Sequence, residues 1–382
     1  MKCKIAIIDS LGAHGCSHHL YLYGQASWLA DSNIDVSIYT NNVTKNPSYN
    51  GVGFFQFYRN IFNSRFKFIS GIRHIIGSIF SIIHAKISGV NICHYHLFHA
   101  NILVMFDFIL TKILRMRVVY TVHDVVSFEN NRINQVISNW IYRGADKILI
   151  HNQFSANIIK KSNKDVSSII DVIPHGNYLP FLSGGVDKDI SREIIGIGSE
   201  RKVLLFFGMI KKVKGLEIML ESLKNIVLLH PDVLLVIAGR VWKNNFSVYQ
   251  EIIDKYNLSD NCLIHNRFIP QDDIKHYYAS SDIVVLPYKR IYQSGVLLMS
   301  MSYEKIVLVS DLPPMIEVIE DNKTGFVFKT ENPTSLANKV NNIFENIDAL
   351  DHIKENALRL MKSDYDWREI GRKTRKSYES IL

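Results

Sequence analysis

Two successive series of short apolar runs, each run followed by a stretch of helical periodicity, constrain the fold of this chain more than any other feature. The first series has strand-length runs at Lys4–Ile8, Val36–Tyr39, Ile92–Tyr95, Val118–Val122, Lys147–His151 and Ile169–Ile173. The second has them at Val203–Phe207, Val233–Ala238, Cys262–His265, Ile283–Leu286, Ile306–Val309 and Gly325–Phe328. Strand alternating with helix predicts a parallel, doubly wound α/β sheet, here twice over. Between the series lies a turn-rich connector holding Pro174, Gly176, Pro180, Gly184 and Gly185, and 382 residues exceed the comfortable size of one core. The expected domains are therefore residues 1–180 and 181–365, with 366–382 as a terminal helical segment.

Hydrophobic residues at 47% and charged ones at 21% describe a globular protein and exclude a largely disordered one. A net charge of +8 points to an anionic partner: nucleic acid, a sugar nucleotide or an acidic membrane surface. No zinc-finger spacing, aromatic RNA-binding motif or dense basic arm supports nucleic acid. Cys3, Cys16, Cys93 and Cys262 are scattered without metal-ligand spacing and read as reduced thiols of a cytoplasmic protein. No run of eighteen or more uninterrupted apolar residues is present, so a soluble or peripheral protein is expected. One segment leaves membrane contact open. Arg59, Arg65, Lys67, Arg73 and Lys86 are interleaved with Phe62, Phe66 and Phe68, while Ile72, Ile75, Ile76, Ile79 and Ile83 share a helical face. That pattern suits a helix lying on an anionic bilayer, and equally a core helix packed on the sheet.

The chemistry concentrates at strand ends. Phe206–Gly215, FFGMIKKVKG, runs from a buried strand through Gly208 into a turn bearing Lys211 and Lys214, an arrangement that suits a pyrophosphate at the carboxyl end of a sheet. Tyr292–Leu297, YQSGVL, precedes a second helix, and its exposed N–H groups with Gly295 and the Ser294 hydroxyl offer another anion site; a plain capped helix start is the simpler reading. In the first series, Gly12 and Gly15 bracket His14 in the first strand-to-helix loop, and His18 and His19 open the next helix. Glycines there let backbone approach a ligand, although GxxG is not the full dinucleotide fingerprint. His123 and Asp124 follow the strand Val118–Val122. His94, His96 and His99 form a local cluster, and the lack of a positioned carboxylate or cysteine argues against zinc there.

Taken in order, KIAIIDSLGAHG, VVYTVHD, ADKILIHN, VIPHGN, FFGMIKKVKG, the segment around Asp282, YQSGVLLMSMSYEK and IEVIEDNKTGFVF resemble the nucleotide-sugar glycosyltransferases of family four. The resemblance covers nearly the whole chain. It implies the GT-B fold, with an acceptor-binding first domain, a donor-binding second domain and a last helix packing back on the first. It implies that Gly208, Lys211, Lys214, Gln293, Ser294, Gly295, Val296 and Glu317 bind the donor, that His123 and Asp124 act near the reacting sugar, and that Gly12, His14, Gly15, His18 and His175 lie on the acceptor side. No metal and no cofactor are implied, the nucleotide sugar being a co-substrate. The implied activity is hexosyl transfer from a UDP-sugar to a glycan or polyprenyl-diphosphate-linked acceptor in surface polysaccharide assembly. One departure stands out. The glutamate pair usual in the family falls on Ile291 and Met299, and Glu304 occupies a place where glycine is usual. Anomeric outcome, donor sugar and base therefore stay open, as do an epimerase of the same shape and a non-catalytic nucleotide-binding protein.

Overall fold

The structure, a computed structural model, describes residues 3–15, 17–125, 132–182, 184–198, 200–243 and 245–382, which leaves Cys16 outside the described residues. The chain divides into two compact units, one made of Met1–Gly176 with Asp364–Leu382, the other of Asn177–Ser363.

The first unit holds seven parallel strands: β1 (Lys4–Asp9), β2 (Asp35–Asn41), β3 (Val52–Tyr58), β4 (Ile92–Leu97), β5 (Arg117–Val122), β6 (Lys147–Ile150) and β7 (Ile170–Val172), in the order β3-β2-β1-β4-β5-β6-β7. Six of them match the apolar runs. β3 does not, because VGFFQFY shows no clean two-residue alternation: it is an edge strand, half-buried along all but its last residue.

A helix over Trp367–Glu379 completes this unit. Asp366 caps it by accepting from Arg368 N–H, and Trp367, Ile370, Gly371, Thr374, Ser377 and Tyr378 are buried at three- and four-residue spacing. The indole of Trp367 explains two glycines. A Cβ on Gly24, in the helix His18–Asp31, would come within 2.4 Å of that ring, and one on Gly176 within 2.2 Å. Farther along, Tyr378 Oη meets His94 Nδ1 of β4 at 2.5 Å.

The second unit holds β8 (Lys202–Phe207), β9 (Val233–Ala238), β10 (Cys262–His265), β11 (Ile283–Leu286), β12 (Ile306–Ser310) and β13 (Phe326–Phe328), all parallel in the order β10-β9-β8-β11-β12-β13. Every side chain of β9 is buried, as expected of a strand covered by helices on both faces. In both sheets the strand order reverses beside the first strand, between β1 and β4 and between β8 and β11. Loops leaving the carboxyl ends of those strands form the natural ligand crevice of an open α/β sheet.

Candidate active site

In the second unit the loops after β8 and β11 lie together. Gly208 (φ +97°) ends β8, and a Cβ on it would lie 3.3 Å from Val296 Cγ2. Gly215 (φ +68°) closes the turn Lys212–Lys214, where a Cβ would meet Pro287 O at 1.9 Å, so only glycine fits. Lys289 N–H donates to Val213 O at 2.9 Å, tying one loop to the other. Lys214 Nζ donates to Tyr288 Oη at 2.7 Å and stands 4.1 Å from that ring's centroid. Lys211 opens the turn, its carbonyl accepting from Lys214 N–H at 2.8 Å.

The loop after β11 delivers a helix start. The helix runs Gly295–Ser302; Ser294 Oγ accepts from Leu297 N–H at 3.2 Å, which leaves the serine hydrogen free to donate. The N–H groups of Gly295 and Val296 have no acceptor within the helix. Gln293 Nε2, just before, is buried and makes no hydrogen bond among the described residues. Capping and anion binding are thus compatible readings of one helix tip. The room at Gly295 is not simply open: a Cβ there would come 2.7 Å from Tyr178 Oη, so a tyrosine hydroxyl shares the tip. Met299 is buried and Ile291 half-buried where the family's glutamates are usual. Glu304 adopts φ +56°, the left-handed conformation that explains a glycine at such a place. Glu317 is exposed and follows the short helix Pro313–Ile316, its N–H donating to Pro313 O at 3.1 Å.

In the first unit, histidines gather at the ends of β1, β4, β5 and β6. Asp9 ends β1; its Oδ1 accepts from Leu11 and Gly12 N–H, and its Oδ2 faces His18 Nε2 at 2.5 Å and His96 Nδ1 at 3.1 Å. Burial alone would raise this carboxyl, yet His18 and His96 hold it well below the usual carboxylate range. His151 Nδ1 lies 3.2 Å from Ile173 O, and His151 Nε2 lies 3.2 Å from His123 Nδ1. A carbonyl only accepts, so the proton order follows: His151 donates through Nδ1, accepts at Nε2, and His123 donates through Nδ1. His123 Nε2 then carries the lone pair, and that atom is buried without a hydrogen bond among the described residues. Burial, with His151 nearby, pulls the His123 pKa well below its ordinary value; burial likewise lowers His151 to about 4 and His175 well below normal. These rings are neutral at pH 7.

The other acceptor-side residues sort by contact. His175 joins the group, its Nδ1 2.7 Å from Gly176 O and its ring 4.5 Å from Tyr21. His18 is a member through Asp9. His14 is not: it is exposed and stacks on Phe62 at 3.7 Å. Gly12 corrects the expectation of backbone opened for a ligand, because its φ is +42° and a Cβ would strike Thr44 Oγ1 at 2.0 Å and Thr40 Oγ1 at 2.6 Å; the glycine serves packing under the turn Gly12–Gly15. Asp124 is half-buried beside His123. His94, His96 and His99 also part company. His94 is locked in the core by Tyr378 and by Thr121 Oγ1 at 2.7 Å, His99 is exposed, and His96 alone enters the group. The carboxylate that the local sequence lacks comes from β1, as Asp9. Beside Asp9 and His96 opens a cavity of about 240 Å³, reaching Tyr58, His74, Asp107 and Tyr120. Asp107 Oδ1 and Tyr120 Oη are buried there without hydrogen bonds among the described residues.

The helix Lys67–Ile87 turns its small residues inward. Gly77, Ser78, Ser81, Ile82 and Ala85 are buried, whereas Ile72, Ile76, Phe80, Ile83 and Ile87 are exposed. Of the isoleucine stripe, Ile72, Ile76 and Ile83 are exposed, whereas Ile75 and Ile79 are half-buried. The close fit is visible at Gly77, where a Cβ would touch Tyr58 of β3 at 2.7 Å. By length and composition the helix could also cross a membrane, although its inner face packs on β3 and on the helix Ile102–Ile113.

Residues 187–360 match the family model described as glycosyl transferases group 1, and residues 19–177 match that of Glycosyltransferase Family 4. Spore coat protein SA of Bacillus subtilis is 26% identical over 191 residues, covering 47% of this chain and 49% of that protein. The lipopolysaccharide 1,2-N-acetylglucosaminetransferase of Salmonella typhimurium is 23% identical over 235 residues, covering 59% of this chain and 60% of that one. The chain thus spans about half the length of the curated relatives it matches. Among solved structures, Anabaena Alr3699/HepE in complex with UDP and glucose superposes with a TM-score of 0.78 at 17% identity, over 99% of this chain and 100% of that one. Two parallel α/β units, the two matched family models and this superposition agree: the chain belongs to the family-four glycosyltransferases and has the GT-B fold.

Proposed function

We propose that this chain transfers a hexose from a nucleoside diphosphate sugar, with UDP as the nucleotide, to a glycan or lipid-linked saccharide in surface polysaccharide assembly. The observation that carries the reading is the joining of the Lys211–Lys214 turn to the Gly295 helix tip, with the Gln293 amide nitrogen beside it lacking a partner among the described residues. In glycosyl transfer the anomeric carbon gains oxocarbenium character while the departing diphosphate gains negative charge. Ammonium groups and helix-tip N–H donors placed at that diphosphate stabilise it as the bond breaks, which leaves no role for a metal at that position. UDP is favoured because the superposed HepE structure carries it, and a saccharide acceptor because a relative is a lipopolysaccharide N-acetylglucosaminetransferase. On the first unit, His123 Nε2 accepts a hydrogen bond from a hydroxyl of the sugar or acceptor, and the cavity beside Asp9 takes the acceptor. If configuration is retained, the leaving phosphate takes the acceptor proton; inversion would assign it to Asp124 or a neighbouring histidine.

The site of action in this proposal is the cytoplasmic face of the membrane, reached through the exposed stripe of Lys67–Ile87 and its flanking Arg65, Lys67 and Lys86. The test is thermal stabilisation by UDP and GDP, followed by nucleotide release from a panel of UDP-sugars with and without saccharide acceptors. UDP should raise the melting temperature of the wild type, and Lys214→Ala should abolish that rise. A variant stabilised as strongly as the wild type overturns the donor site. Acceptor-independent sugar isomerisation would identify an epimerase, and binding without turnover a non-catalytic protein.

A further inference from the structure

We infer that Asp9, His18, His96 and His123 form a binding site for one divalent transition-metal ion of the zinc type, separate from the donor loops. Among the described residues, one ring nitrogen from each of His18, His96 and His123 lies within 4.8 Å of the other two. Asp9 Oδ2 stands against the same group, 2.5 Å from His18 Nε2 and 3.1 Å from His96 Nδ1, and those two nitrogens are 3.2 Å apart.

The convergence of these atoms makes the case for a cation. His96 Nε2 faces Gln25 Oε1 at 2.9 Å, and its Nδ1 is aimed at the Asp9 carboxylate. His18 Nε2 faces both His96 Nδ1 and Asp9 Oδ2, so the three atoms converge on one small space. Among the described residues His123 Nε2 is a further buried nitrogen without a hydrogen bond, its Nδ1 facing His151 Nε2. The supports behind the nitrogens are those a ligating histidine uses: His96 is oriented by the Gln25 carbonyl, and His123 by His151, itself anchored on Ile173 O.

The spacing agrees with the chemistry. Zinc–nitrogen bonds of about 2.0–2.1 Å in a tetrahedron imply ligand separations of roughly 3.3 Å. The 3.1 and 3.2 Å separations fit directly, and the 2.5 Å separation of Asp9 from His18 would open on loading. Three imidazoles with one carboxylate favour zinc over magnesium or calcium. An ion there joins the ends of β1, β4 and β5 to the first turn of the helix His18–Asp31. It also takes the His123 lone pair, so zinc and a substrate hydroxyl exclude one another at that atom.

The test uses the whole chain and does not depend on turnover. After loading with Zn²⁺ and dialysis, elemental analysis should find about one zinc per chain, Co²⁺ should give visible bands of tetrahedral intensity, and Zn²⁺ but not Mg²⁺ should raise the melting temperature. His18→Gln should weaken zinc binding on the order of 10–100-fold or more. His18→Cys separates metal ligation from a hydrogen bond to Asp9, because a thiolate ligates but cannot donate; it should still bind cobalt, with an added thiolate charge-transfer band. A chain that stays free of zinc after loading, unchanged binding by His18→Gln, or loss of binding by His18→Cys while the variant remains folded, overturns the site.

Discussion

Lys305 carries its ammonium into the C-terminal end of the helix Gln271–Ser280, where Nζ lies 3.2 Å from Ser281 O and 3.4 Å from Ala279 O. Burial is the main reason its pKa falls to about 8, with Asp282 opposing. The ordinary lysine value applies to the unfolded chain, so between pH 8 and about 10.5 the unfolded state binds more protons and stability rises with pH through this group. Below pH 8 the buried charge is a full penalty. Lys305→Met should flatten the pH dependence of urea unfolding across pH 8–9.5, where the wild type gains up to roughly 1.4 kcal/mol per pH unit from this residue; equal slopes in both proteins would refute the assignment. Glu304 is a second residue at odds with its backbone. At φ +56° it holds a conformation that glycine adopts without strain, so Glu304→Gly should stabilise the second unit by about 0.5–1 kcal/mol, read as a higher urea midpoint at unchanged m-value.

The helix Lys67–Ile87 shows what a pattern can and cannot reveal about an element. Its isoleucine stripe was legible in the sequence, but periodicity shows only that a face exists. Which face meets the sheet was set by Gly77, Ser78, Ser81 and Ala85, small residues that let the helix lie close against Tyr58. The outward stripe makes a sharp expectation for membranes. Replacing Arg65, Lys67 and Lys86 by glutamine should reduce partitioning onto anionic vesicles by about 1 kcal/mol per charge, and Ile76→Asp with Phe80→Asp should abolish it while leaving the melting temperature nearly unchanged. Sedimentation with phosphatidylserine vesicles measures both, and undiminished binding would remove the membrane proposal. The apolar runs of β1, β8, β9, β11 and β12 were readable because buried parallel strands are nearly continuous in hydrophobicity. β3 was not, its half-buried aromatics following no single period. Nor was the histidine group, since Asp9, His18, His96 and His123 are brought together by strand order rather than by spacing along the chain.

At the scale of the whole molecule, the second unit is continuous in sequence and the first is not. The segment Asn177–Ser363 has its own buried core and should fold when expressed alone, with a cooperative thermal transition; a featureless melt would contradict its independence. The first unit depends on Trp367 against Gly24 and Gly176 and on Tyr378 against His94. Trp367→Ala should cost about 3–5 kcal/mol, and a fragment ending at Gly176 should expose apolar surface, detectable by dye binding. The wrapping of one unit around the other in sequence also sets an order of construction. A ribosome has made every residue of Asn177–Ser363 before the helix holding Trp367 exists, so the part of the molecule synthesised first must wait, unfinished and in need of protection, for the part synthesised last.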